Sequence, residues 1–286
     1  MSRIAYVNGA YVPLDTAYVH IEDRGYQFSD GVYEGITVAG GKLVDLEPHL
    51  DRLERSLREL QIDMPMGRRA MTLIFKETVR RNRIQNAFLY IQVTRGVAKR
   101  DHPFPADITP TLVVTARRLD LDSIKARAEV GIKVSSHPDI RWGRCDVKSI
   151  ALLPNILAKQ AAREAGGFEA VLYDADGYVT EGSSTNIWMV TAGGTLVTRS
   201  TDDNILPGIT RATLLQIAES LQMKVETRAF TLEEAKSASE MFLTSSTSCA
   251  MPIVEFDGKV IGSGTPGTAA KRLAEAYWAY IDNSHP

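Results

Sequence analysis

The spacing of apolar residues changes period several times along the chain, and each change predicts an element. Ile4 to Leu14 alternates around Tyr6 and Tyr11, with Asn8-Gly9 between them, which predicts two short strands joined by a two-residue turn. The stretch E-D-R-G-Y-Q-F-S-D-G-V-Y-E, Glu22 to Glu34, carries two glycines and predicts tight turns bordering a strand. Tyr33 and Glu34 lead that strand into Ile36 to Val38, and Gly40-Gly41 turns the chain again. From Pro48 the period becomes three and four: Leu50, Leu53, Leu57 and Leu60 predict an amphipathic helix with Pro48 in its first turn. A second helix is expected over Arg69 to Asn82. Strands follow over Ala87 to Arg95 and Pro110 to Arg117, both rich in aromatic or β-branched side chains.

The short polar stretch Leu119 to Ser123 is the predicted joint between a small N-terminal α+β domain, residues 1–118, and a larger C-terminal domain, residues 124–286. In the second domain a strand is expected over Val130 to His137. A helix is expected over Pro154 to Ala165, with Ile156, Leu157, Ala161 and Ala165 on one side and Gly166-Gly167 as its cap. Glu169 to Tyr173 and Tyr178 to Glu181 flank the turn Asp174 to Gly177 as a hairpin, continued by Asn186 to Thr191. Ile205 to Thr210 opens a helix with Leu214, Leu215, Ala218 and Leu221 on its apolar face. A strand over Glu240 to Ser245, a hairpin around Asp257-Gly258 and a closing helix over Thr268 to Ile281 complete the chain. The class is a mixed α+β (α/β) protein.

At 286 residues the chain has ample core for two such domains, and 44% apolar with 24% charged residues is ordinary soluble composition. No apolar run reaches the ~18 residues of a membrane span, and M-S-R-I-A-Y-V-N-G lacks the apolar core of a signal peptide, so a cytoplasmic protein with no membrane partner is expected. A net charge of −2 without a basic stripe gives no reason to expect nucleic acid. Cys145 and Cys249 lie far apart and lack metal-ligand spacing, so neither a disulfide nor a metal site is expected; Cys145 reads as small buried filler.

Three places carry candidate chemistry. Lys148 stands between apolar Val147 and Ile150, and a lysine at an apolar strand end is a candidate nucleophile toward carbonyl carbon because desolvation favours its neutral amine. Arg100 and His102 share a loop in R-x-H spacing, which in extended chain points both side chains the same way and suits a carboxylate. Gly208 precedes a helix start, where backbone N–H groups and the helix dipole favour an anion, and T-S-S-T-S at Thr244 to Ser248 adds a hydroxyl cluster.

Read together with E-G-S-S-T-N-I-W, Glu181 to Trp188, the Lys148 segment resembles the branched-chain and D-amino-acid aminotransferase family, the fold-type IV group of pyridoxal-phosphate enzymes. Further matches follow in the expected order: Glu22 to Glu34, H-L-D-R-L (His49 to Leu53), V-T-R-G-V-A-K-R-D-H (Val93 to His102), I-L-P-G-I-T-R (Ile205 to Arg211) and F-L-T-S-S-T-S (Phe242 to Ser248). The resemblance spans nearly the whole chain.

It implies a fold-type IV architecture with pyridoxal 5′-phosphate at the domain interface. Lys148 would bond the cofactor, and Glu181 would hold the proton on its ring nitrogen. Arg52, the amides of Ile209 and Thr210, and the hydroxyls of Ser245, Ser246 and Thr247 would hold the phosphate. Leu206 would pack on the ring, and Tyr33 would face the cofactor near the lysine or the substrate. Ser183, Ser184 and Thr185 would line the substrate side. Arg100 and His102 would take the substrate α-carboxylate, supplied by the neighbouring subunit of a homodimer.

The implied reaction moves the amino group of a D-amino acid to a 2-oxo acid such as 2-oxoglutarate or pyruvate. Same-fold alternatives are an L-branched-chain aminotransferase, an (R)-amine transaminase and an aminodeoxychorismate lyase; R-x-H after the V-T-R-G strand favours the first reading. Two departures stand out: Thr185 replaces a serine of the E-G-S-S-S-N type motif, and Lys99 and Asp101 flank the R-x-H pair, Asp101 being expected to point away from it.

Overall fold

The alternating stretches in the first third of the chain become a six-stranded antiparallel sheet in the computed structural model, which describes residues 3–201 and 204–283. Its elements are β1 (Ile4–Val7), β2 (Ala10–Pro13), α1 (Arg24–Phe28), β3 (Gly31–Ala39), β4 (Lys42–Leu43), α2 (Leu46–Glu59), α3 (Arg68–Asn82), β5 (Ala87–Thr94) and β6 (Thr111–Arg118). The strand order is β2-β1-β6-β5-β3-β4. Asn8 and Gly9 both take positive φ, 43° and 98°, the two-residue turn that matches strand twist. Along β5, Ala87, Leu89, Ile91 and Val93 are buried while Phe88, Tyr90 and Gln92 are half-buried, so one face enters the core. Leu50, Leu53 and Leu57 of α2 and Met71, Phe75 and Val79 of α3 meet that face in one cluster with Ile36 and Leu89. Each fully buried leucine there contributes about 1.5–3 kcal/mol relative to exposure.

The remaining elements are α4 (Leu121–Val130), β7 (Ile132–Pro138), α5 (Leu153–Glu164), β8 (Glu169–Tyr173), β9 (Val179–Gly182), β10 (Asn186–Val190), β11 (Leu196–Thr198), α6 (Ile209–Ser220), β12 (Val225–Thr227), α7 (Leu232–Lys236), β13 (Glu240–Ser245), β14 (Cys249–Phe256), β15 (Lys259–Val260) and α8 (Thr268–Asn283). They build a nine-stranded mixed sheet, β12-β11-β10-β13-β14-β7-β8-β9, with β15 on β14. β7 lies parallel to both β14 and β8. Its core gathers Val134, Val171, Ile187, Leu243, Met251 and Phe256. No helix among the described residues is long and apolar enough to cross a membrane.

Several expectations need correcting. The chain divides into two compact units, one of residues up to Asp120 with Val147–Ala151, the other of Leu121–Asp146 with residues from Leu152 onward. The Lys148 segment therefore counts with the first unit rather than with residues 124–286, because its backbone pairs with β3. The expected linker, Leu119 to Ser123, runs into α4, a helix with no buried residue and hence no apolar stripe to read. On α5 the buried residues are Ala158 and Ala162, packed with Ala170 and Leu172, while Ile156 and Leu157 are 59% and 55% exposed. Small side chains let this helix lie close against β8, and that contact chooses the alanine face.

Candidate active site

Lys148 is placed by backbone pairing. The Tyr33 N–H donates to the Lys148 carbonyl at 3.0 Å, the Ile150 N–H donates to Gly31 O at 3.1 Å, and Ser149 forms a bridge with Val32. The segment is irregular rather than the expected strand end, yet it borders the start of β3. Gly31 is required there, since a Cβ would sit 2.6 Å from the Val93 carbonyl oxygen. Val147 is buried in the core, and the Lys148 Nζ lies 4.3 Å from the centre of the Tyr33 ring. Tyr33 in turn packs on Tyr90 at 5.7 Å between centroids. Burial, with Tyr33 beside it, pushes the Tyr90 hydroxyl up to about 12, so it stays protonated and donates to Gln92 Oε1 at 2.7 Å.

One residue beyond Tyr33, Glu34 points to the opposite face and into a buried cluster. Arg52 donates to it through Nε and Nη2, both at 2.8 Å, and His49 Nδ1 lies 2.7 Å away. Burial alone would raise the Glu34 carboxyl, but Arg52 and His49 outweigh it and hold the group well below the usual carboxylate range. Burial pushes His49 down against the pull of Glu34. Arg52, expected at a phosphate, is thus anchored through a bidentate ion pair that sequence reading did not anticipate.

Arg100 and His102 come together, though by another route than alternation along an extended chain. The backbone bends at both, and their side chains meet on one aromatic ring: the Arg100 guanidinium carbon lies 5.0 Å, and the His102 ring centre 5.6 Å, from the centre of Phe28. Both residues are exposed. Asp101 turns its carboxylate back to accept from the His102 N–H at 2.8 Å.

In the second unit Glu181 sits on β9 and is 6% exposed. Arg141 Nη1 donates to its Oε1, while its Oε2 accepts from Asn186 Nδ2 at 3.3 Å and from the Leu206 N–H at 3.1 Å. The Leu206 carbonyl accepts from Asn186 at 3.0 Å, which ties the I-L-P-G segment to the carboxylate. Arg141 also donates to Asp139 at 2.6 Å; despite burial, Asp139 and Glu181 keep the guanidinium charged.

Asn186 links this carboxylate to the anion-type features. It is the strand partner of Thr244, and a Cβ on Gly208 would sit 2.0 Å from its Oδ1. Gly208 caps α6 with no side-chain hydrogen bond, so the first turn presents backbone N–H groups, Ile209 and Thr210 among them. Ser245 ends β13, and Ser246 and Thr247 follow it in a half-buried turn; Ser245 and Thr247 hydroxyls lie 3.4 Å apart, and the Ser248 N–H donates to Ser245 at 3.1 Å. The Thr185 hydroxyl is buried with no partner among the described residues. An uncapped helix start and a hydroxyl turn fit a bound phosphate ester, and the orphaned Thr185 hydroxyl on the E-G-S-S-T-N turn is left for a ligand.

The comparisons with known proteins agree with that chemistry. Residues 31–256 match the family described as amino-transferase class IV. The chain belongs to the class IV aminotransferases. The aminotransferase is 40% identical over 269 residues to the D-alanine aminotransferase of Bacillus licheniformis, covering 94% of each chain. It is 36% identical over 281 residues to that of Staphylococcus haemolyticus, covering 97% of this chain and 98% of the relative. Among solved structures it superposes on the branched-chain aminotransferase from the thermophilic archaeon Thermoproteus uzoniensis with norvaline at a TM-score of 0.87 and 26% identity, covering 98% of this chain and 95% of that one.

Around the expected residues the aminotransferase places partners that the sequence reading passed over. Arg141 is one. Glu169 is another: buried on β8, it accepts from the Ser183 hydroxyl, from Ser184 Oγ at 3.3 Å and from Lys159 Nζ at 3.1 Å. Ser183 is buried and Ser184 exposed. A lone glutamate opening an apolar strand, E-A-V-L-Y, was the available signal. Cys145 is half-buried rather than the expected buried filler; its thiol donates to Trp142 O, and burial pushes it up to about 11, which keeps it protonated.

Proposed function

We propose that this aminotransferase transfers the amino group of a D-amino acid to a 2-oxo acid, converting D-alanine and 2-oxoglutarate to pyruvate and D-glutamate, with pyridoxal 5′-phosphate as cofactor. The observation that carries the reading is the gathering of Arg100 and His102 on Phe28, a two-donor carboxylate site, in a chain whose Lys148 is held over the Tyr33 ring. Curated relatives named D-alanine aminotransferase support the D-configuration. The branched-chain neighbours make an L-branched-chain donor the second reading.

When bound, the cofactor supplies an electron sink that makes the substrate Cα–H acidic. Lys148 would bond the cofactor, and its amine, freed when substrate binds, would take the proton from the substrate Cα. Glu181 would hold the proton on the ring nitrogen; Arg141, Asn186 and the Leu206 N–H fix the orientation of its carboxylate. Arg52, the Ile209 and Thr210 amides and the hydroxyls of Ser245, Ser246 and Thr247 would hold the phosphate. Leu206 would pack against the ring. Tyr33 and the Ser183, Ser184 and Thr185 turn border the substrate.

Arg100 and His102 come from the second chain of a homodimer, which fits their exposure here. A cytoplasmic setting fits two thiols left unpaired. The test is a donor panel with 2-oxoglutarate: D-alanine should give pyruvate and D-glutamate, while L-leucine and (R)-1-phenylethylamine give little product. Faster turnover of L-leucine or the amine, or pyruvate release from aminodeoxychorismate, would overturn the assignment. Mixing Lys148→Ala with Arg100→Ala chains tests the dimer: hybrids carry one intact site, so activity at low D-alanine should recover to about a quarter of wild type. No recovery would place the pair in the same chain's site.

A further inference from the structure

The loop that carries Arg100 and His102 is irregular and exposed, so something else must fix its shape. The contacts lead to one buried residue. Arg24, 3% exposed, donates from Nη1 to the Asp101 carbonyl at 2.6 Å and from Nη2 to the His102 carbonyl at 3.2 Å. Its third donor, Nε, meets Asp30 Oδ2 at 2.7 Å. Asp30 also accepts from Arg95, Nε at 2.8 Å and Nη2 at 3.0 Å, and Arg95 reaches on to the carbonyls of Leu60 and Gln61 at 2.7 and 2.8 Å. Arg24 therefore stands between a carboxylate locked into the core end of the first unit and the backbone of the loop.

The backbone agrees with this arrangement. The Arg24 N–H donates to Gly96 O at 2.9 Å and the Ala98 N–H to Glu22 O at 3.3 Å, so the Glu22 to Asp30 segment cradles the loop from Gly96 onward. Gly96, at φ 115°, admits no side chain, since a Cβ would sit 2.0 Å from Thr109 O. The Arg24 guanidinium also lies 4.9 Å from the Phe28 ring centre, and that ring is the platform on which Arg100 and His102 rest. One side chain thus touches both the carbonyls and the ring that orient the pair.

We propose that Arg24, anchored by Asp30, is the positioning residue that sets the Arg100–His102 pair and through it the enzyme's affinity for a substrate carboxylate. The inference rests on the reading of that pair as the carboxylate site. Arginine is needed because its rigid fork serves two carbonyls and a carboxylate at once, which an ammonium on a flexible stem cannot do.

The test uses purified holoenzyme and measures KM and kcat for D-alanine, the inhibition constant of propionate competing with it, and tryptic cleavage after Lys99 and Arg100 in the native protein. Arg24→Lys should raise KM and the propionate constant roughly tenfold, leave kcat within about twofold, and speed cleavage in the loop. In an Arg100→Ala background the same change should add less than about twofold, because its effect runs through that side chain. Asp30→Asn should move the same quantities in the same direction, and it carries the test should Arg24→Lys not fold. If Arg100→Ala weakens propionate but neither Arg24→Lys nor Asp30→Asn does, or if they lower kcat at unchanged KM, the positioning role is wrong. If Arg100→Ala itself leaves propionate unaffected, the carboxylate reading fails and this inference falls with it.

Discussion

Lys148 and Glu181 are seated differently from Arg100 and His102. The first two are held by strand frames: Lys148 by backbone pairing at the start of β3, Glu181 on β9 by a buried arginine, an amide side chain and a backbone N–H. The other two ride on an exposed loop held from beneath by Arg24. Proton transfer tolerates little displacement, so groups that handle a proton gain most from rigid elements. A group that recognises a carboxylate at the surface can be carried by a loop, where sequence change alters specificity without disturbing the core.

The largest effect should follow from breaking the rigid side. Lys148→Ala is expected to lower turnover by at least about a thousandfold with the fold intact by circular dichroism, since neither the covalent link nor the proton carrier remains. Turnover within tenfold of wild type would mean that another residue does this work. Arg141→Met strikes Glu181, the proposed acid partner. It leaves Glu181 buried without its cation and should cost about 3–5 kcal/mol in urea unfolding. An unchanged urea midpoint would show that Asn186 and the Leu206 N–H suffice.

The loop should answer differently. Arg100→Ala removes one charge-assisted contact, about 1.5–3 kcal/mol, so KM for D-alanine should rise by roughly 10- to 100-fold while the unfolding curve stays put. A fall in stability instead of affinity would make the loop part of the core. The smallest effect belongs to the His49–Glu34 pair. Both groups titrate lower in the folded protein than in the unfolded chain, so both add stability at neutral pH that is lost on acidification. The decline should begin below about pH 6.5 through His49 and steepen below about pH 4.3 through Glu34, where the unfolded groups take up protons first. His49→Gln should remove the first part; stability that is flat between pH 7 and 5 in the parent would contradict it.

The same contrast explains what could be read in advance. The leucine stripe of α2 and the alternation of β5 were legible because one face of each meets one core, and the period reports that face directly. The α5 face was not legible, because apolar residues occur on more than one side and only contact with β8 selects Ala158 and Ala162 over Ile156 and Leu157. α4 buries nothing, so it left no periodic trace. The motif residues could be named from the sequence, but their partners could not. Arg141 meets Glu181, and Arg24 meets the carbonyls of Asp101 and His102, across separations that only the folded chain closes.

The most direct test of the account is to find which side chain bonds the cofactor. The enzyme loaded with pyridoxal 5′-phosphate is reduced with sodium borohydride, digested, and searched by mass spectrometry for the phosphopyridoxyl label. The label should fall on Lys148 alone, and prior addition of D-alanine without an oxo acid should abolish it. A label on another lysine, or one that D-alanine leaves in place while L-leucine removes it, would contradict the account.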